Sequence, residues 1–104
     1  MIHIGMLTLA PEATQEHREA IVGGLAELVG VITGLVAVRA GYDLGLTDGN
    51  ADLVFLLEFD SEESWRAYRT HDAHVAVITE RIAPVLASKS FVQVKEIVET
   101  ARAR

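Results

Sequence analysis

Two histidines and a tyrosine stand within seven residues, in the stretch Tyr68-Arg69-Thr70-His71-Asp72-Ala73-His74. Histidine takes and gives a proton close to neutral pH, because its unperturbed pKa is ~6.5. A tyrosine hydroxyl nearby can orient a carbonyl or hold an enolate by hydrogen bonding. The same stretch offers a His-x-x-His pair, His71 and His74, that could hold a metal ion. Zinc would need a third or fourth ligand, and the one nearby carboxylate, Asp72, stands where a helix cap is expected. Acid–base chemistry is therefore the preferred reading, with no metal and no cofactor expected. A third histidine, His3, shares a strand face with Gly5, Leu7 and Leu9. It reads either as a satisfied, partly buried side chain or as a pocket residue, with Gly5 leaving space beside it. His17, off the apolar stripe of a helix, reads as a surface residue.

The elements that must position these groups follow from hydrophobic periodicity. Residues 2–9 alternate as a strand that Pro11 ends. Ile21, Leu25, Leu28 and Ile32 form one stripe of a helix over roughly 14–31, with Thr14 as its N-cap. Gly23 and Gly24 inside it suggest close packing on the sheet or room for a ligand. Residues 35–42 read as a second strand, with Val36, Val38 and Ala40 opposite Leu35, Ala37 and Arg39. Residues 52–59 read as a third, with Leu53, Phe55, Leu57 and Phe59 on one face. Asp60 or Ser61 caps the next helix, and Asp60 with Glu63 has capping-box spacing. Trp65 and Tyr68 share its face. The histidine stretch is a joint, after which Asp72 starts a second helical segment that Pro84 kinks or ends. Residues 90–98 read as a fourth strand.

The order βαββαβ is the ferredoxin-like arrangement, a four-stranded antiparallel sheet with helices on one face. Yet the strands are apolar on both faces. Ile4, Met6, Val36, Val38, Val54, Leu56, Val92 and Val94 would form a bare patch larger than monomers usually expose. A homodimer packed sheet to sheet is the expected solution.

Composition narrows the partners. The chain has 104 residues, half of them apolar, and a net charge of −6. That length suits one domain over residues 1–104. The negative charge and nine scattered Lys and Arg argue against nucleic acid or a membrane surface. There is no cysteine, so disulfides and thiolate metal sites are absent. The N-terminus does not resemble a signal peptide and no apolar run is long enough to span a bilayer, so a cytoplasmic location is expected.

Several segments resemble the stress-responsive A/B barrel family, Dabb. They are Ile-His-Ile at the start, Leu-Val-Gly-Val-Ile-x-Gly-Leu at 28–35, Glu-Phe-Asp-Ser at 58–61 and Ala-Tyr-x-x-His-x-Ala-His-Val at 67–75. The resemblance covers nearly the whole chain and implies a dimeric α+β barrel. One departure is Asp72, where members usually carry proline. Dabb enzymes include a polyketide cyclase, and that resemblance nominates His74 as base, Tyr68 as its partner and His3 in the same cavity. The implied substrate is an apolar, oxygenated small molecule undergoing enolisation and then aldol-type cyclisation or dehydration. Leu53, Phe55, Leu57 and Trp65 would line the cavity, with Gly5 and His71 beside it. Leu53 and Leu25 stand where such a cyclase carries polar groups, which implies a more apolar pocket. Two alternatives remain: a non-catalytic stress-related module binding a hydrophobic molecule, and a cofactor-free monooxygenase. A Tyr–His hydrogen bond that merely closes the core is the structural counterpart of the catalytic reading.

Overall fold

A computed structural model describes all residues, 1–104. Four strands, β1 (Ile2–Leu9), β2 (Leu35–Tyr42), β3 (Leu53–Phe59) and β4 (Leu86–Val94), form one antiparallel sheet in the order β2-β3-β1-β4. The helices are α1 (Gln15–Ala26), α2 (Glu62–Thr70) and α3 (Asp72–Val77). A π-helical turn at Ile78–Ile82 and a 3-10 turn at Ala83–Val85 lead into β4. This is the ferredoxin-like fold, and the second helical region is split into α2 and α3 at the expected joint.

Alternation in β3 sends Leu53, Phe55, Leu57 and Phe59 to the helix side, where all four are buried. Leu7 of β1, Ile21 and Leu25 of α1, Tyr68 of α2 and Val77 of α3 complete this core. Each fully buried aliphatic side chain here is worth roughly 1.5–3 kcal/mol over its exposed state.

The first helix is shorter than its apolar stripe. After Ala26 the backbone tightens into i→i+3 bonds, and Gly30 takes a left-handed φ of 88°. Leu28 and Ile32 still reach the core from this turn, being 3% and 4% exposed. Gly23 and Gly24 face the following helical segment rather than the sheet. A Cβ on Gly24 would stand 3.0 Å from Arg81 Cδ and 3.2 Å from Val77 Cγ1. Arg81 fastens this contact, donating to the Ala20 carbonyl at 2.9 Å and approaching Glu27 at 3.6 Å.

Two strands depart from simple alternation. In β2 the pairing shifts between Leu35 and Ala37, so Leu35 lies opposite Phe59 and Val38 opposite Leu57. Val38 therefore joins the core side instead of the outer face. In β4 the strand starts at Leu86 and ends at Val94, four residues earlier than expected at each end. Its partner sets these limits. Leu86 pairs with Leu9 and Val94 with Ile2, so residues beyond Val94 have no β1 left to pair with.

The outer sheet face carries Ile4 and Met6 of β1, Val54 and Leu56 of β3, and Val92 and Val94 of β4. Met6 and Val92 are about half exposed, at 48% and 50%. No helix of the chain is long and apolar enough to cross a membrane.

Candidate active site

Ser61 opens α2 by accepting the Ser64 backbone N–H on its hydroxyl at 3.1 Å. Asp60 instead accepts from the Ser64 hydroxyl, and the expected Asp60–Glu63 box does not form. Trp65 and Tyr68, three apart, then face the sheet. The helix stops at His71, whose extended backbone (φ −66°, ψ 134°) is at once the C-cap of α2 and the N-cap of α3. Its Nδ1 accepts the Ala73 N–H at 3.0 Å. His71 thus does the capping expected of Asp72, which is the first residue of α3. The bend turns His74 back over the end of α2.

The bend brings His74 onto Tyr68. Their rings stack with centroids 3.9 Å apart and an interplanar angle of 31°. There is no hydrogen bond between them, so the pair does not close the core in the way the sequence suggested. His74 Nδ1 lies 3.3 Å from the Arg69 carbonyl. A carbonyl only accepts, so Nδ1 carries the proton and donates, leaving the Nε2 lone pair unengaged. Burial lowers the His74 pKa, helped by the charge of His71 and opposed by the backbone carbonyls of Arg69 and Tyr68. The ring is therefore neutral at pH 7. Tyr68 is 2% exposed. Burial raises its pKa well above the ordinary value, so the hydroxyl stays protonated.

His3 comes from β1 and meets the same cavity. Gln93 of β4, its register partner, donates Nε2–H to His3 Nδ1 at 2.9 Å. The neutral ring then holds its own proton on Nε2. Desolvation first, then the charges of His74 and Arg69, push its pKa down to about 4. The rings of Phe91, Phe55, Trp65 and Tyr68 surround it, with centroids 5.2 to 6.2 Å away.

These groups share one cavity of about 710 Å³ between the helices and the inner face of β1, β3 and β4. His3, Phe55, Trp65, Tyr68 and His74, five of the residues nominated from the sequence, line it. Four expected residues do not. Leu57 is fully buried and Leu53 is 2% exposed, so both are spent on the core. His71 is the cap just described. Gly5 opens no space, because the Phe55 and Phe91 rings occupy the place of its missing Cβ. The structure adds Arg69, Lys89, Phe91 and Gln93, and the apolar wall of Leu7, Leu25, Ile78, Ile82, Ala83 and Leu86. Ile78 and Ile82 come from the π-helical turn, where the Ala83 N–H reaches back five residues to the Ile78 carbonyl. Such turns are frequent at functional sites. No group of His, Asp and Glu side chains has metal-binding geometry. Trp65 Nε1 is buried without a partner beside this cavity.

The family profile described as the Stress responsive A/B Barrel Domain (Dabb) matches residues 1–97. The chain belongs to this family. A dimeric ferredoxin-like protein of unknown function from Thermobifida fusca YX is 33% identical with a TM-score of 0.75, over 88% of this chain and 85% of that one. A protein of Arabidopsis thaliana is 22% identical with a TM-score of 0.81, over 96% and 98%. The hydroxynitrile lyase of Passiflora edulis is 13% identical with a TM-score of 0.77, over 98% and 95%. The last two likenesses show the fold alone. None of the curated proteins matches the chain.

Proposed function

We propose that this Dabb protein is a cofactor-free acid–base enzyme acting on an apolar, oxygenated small molecule. The observation that carries the reading is the 3.3 Å contact of His74 Nδ1 with the Arg69 carbonyl: it assigns the proton to Nδ1 and leaves the other ring nitrogen as an acceptor in a mainly apolar cavity. A base so arranged can abstract a proton alpha to a carbonyl. Tyr68 supplies an O–H donor and His3 an N–H donor, both uncharged at pH 7, that can stabilise the resulting enolate. The enolate then attacks a second carbonyl of the same molecule, the new alkoxide taking back the proton that His74 accepted, or it expels a beta-hydroxyl that leaves as water with that same proton, as in a polyketide cyclase. The lyase name of the Passiflora edulis neighbour fits acid–base chemistry on this scaffold.

Proton exchange tests this without knowledge of the substrate. The protein should accelerate deuterium uptake at the acidic C–H of 2-acetylcyclohexanone, followed by NMR in D₂O. His74→Ala should lower that rate by roughly 10²–10⁴-fold, the usual contribution of a positioned base. Tyr68→Phe should lower it less and leave stability nearly unchanged, since the hydroxyl bonds to nothing in the protein. Exchange no faster than buffer, or unchanged in His74→Ala, would sink the reading.

A homodimer through the outer sheet face belongs to the same proposal. The half-exposed apolar side chains on that face support it, as does the dimeric state named for the Thermobifida fusca relative.

A further inference from the structure

Two cations stand at the cavity, Arg69 from α2 and Lys89 from β4. Lys89 lies opposite Leu7 of β1, so it projects from the helix-facing side of the sheet. Neither side chain makes an ion pair; the four pairs of the chain use Arg18, Arg66, Arg81 and Arg102. Neither makes a side-chain hydrogen bond. Both instead rest on aromatic faces of the cavity, Arg69 5.3 Å from the Trp65 ring centre and Lys89 5.5 Å from that of Phe91. Such contacts hold a cation in place while leaving its N–H groups free.

No carboxylate lines this cavity, although the chain has 15 acidic residues against nine basic ones. The local excess of positive charge therefore runs against the composition. It also reaches inward, because Arg69 contributes to the depressed pKa of His3. His3 and His74 are neutral at pH 7, so the two cations are the fixed charges that a ligand meets. A neutral apolar ligand would leave them without a counterpart.

We propose that the molecule acted on in this cavity is an apolar acid whose carboxylate is held by Arg69 and Lys89. Its hydrocarbon part lies against Leu25, Phe55 and Phe91, which leaves the carbon acid to His74. This rests on the enzymatic reading above and narrows it to an anionic substrate class. Arg69 offers a bidentate fork for the carboxylate from α2, and Lys89 a second point charge from β4.

Calorimetric titration of the full chain with two probes of one shape tests it: naphthalene-2-carboxylate and naphthalene-2-carboxamide. The carboxylate should bind about tenfold more tightly at low salt, a difference that shrinks as added salt screens the charges. The double variant Arg69→Met/Lys89→Met should bind both probes equally, with its fold checked by circular dichroism. The charge-conserving Arg69→Lys/Lys89→Arg should keep the preference, which separates charge from a damaged fold. Equal affinities in the wild type, a preference that survives in the Met double variant, or no binding of either probe would overturn the proposal. His74→Ala should keep the preference whether or not the protein exchanges protons, so loss of anion selection and loss of catalysis are read separately.

Discussion

At the scale of single residues, the site is an arrangement of tautomers. Each histidine in the cavity has one nitrogen committed to a protein group, and the identity of that group decides what the other nitrogen can do. A carbonyl beside His74 Nδ1 leaves its Nε2 an acceptor; an amide beside His3 Nδ1 leaves its Nε2 a donor. The depressed pKa of His3 also has a stability consequence. In the unfolded chain it takes a proton near pH ~6.5, and in the folded chain only near pH 4. Between those values the unfolded state binds more protons, so stability is lost as pH falls through the window. Integrated over it, the shift amounts to on the order of 3 kcal/mol. His3→Leu should therefore flatten the fall in urea midpoint between pH 6.5 and about pH 4, leaving the smaller contribution of His74 in the same direction. Tyr68, His74 and His3 were legible in the sequence because their types are distinctive and two of them are close neighbours. Arg69, Lys89 and Gln93 were not, since an isolated basic or amide residue reads as solvated surface until the β4 register places it opposite β1.

At the scale of elements, short-range signals predicted existence well and boundaries less well. The first strand came out at Ile2–Leu9 because alternation and Pro11 both mark it. The fourth came out four residues early because its limits are set by a partner far away in sequence. The β2 bulge moved Val38 to the core side, and no local signal announced the shift. Histidines also took capping roles that composition assigns to carboxylates. His71 caps α3, and His17 Nδ1 accepts the Thr14 N–H at 2.9 Å at the start of α1. Gly34, at the entry to β2, is fixed for two reasons. Its φ is 87°, and a Cβ there would run into the Ser64 and Asp60 side chains that open α2. Gly34→Ala should cost about 1–3 kcal/mol in chemical denaturation, with the α2 cap loosened.

At the scale of the whole molecule, one sheet face is given to the core and cavity, and the other is the face proposed above to meet a second copy. Met6 sits on that outer face between Val54 and Ser90, and is 48% exposed. Met6→Lys should therefore shift the dimer to monomer in size-exclusion chromatography with light scattering. A wild type that is monomeric at micromolar concentration would overturn the dimer itself. On the inner face, the floor of the cavity is made by the Phe55 and Phe91 rings standing over Gly5. Gly5 beneath them carries no side chain, and Phe91 is still 45% exposed. A lineage could deepen the chamber by trimming one ring and shorten it by enlarging one, without moving a strand or disturbing Tyr68 and His74. Because His3 packs against both rings, a change in chamber size would reach its N–H donor while leaving the Tyr68–His74 stack alone.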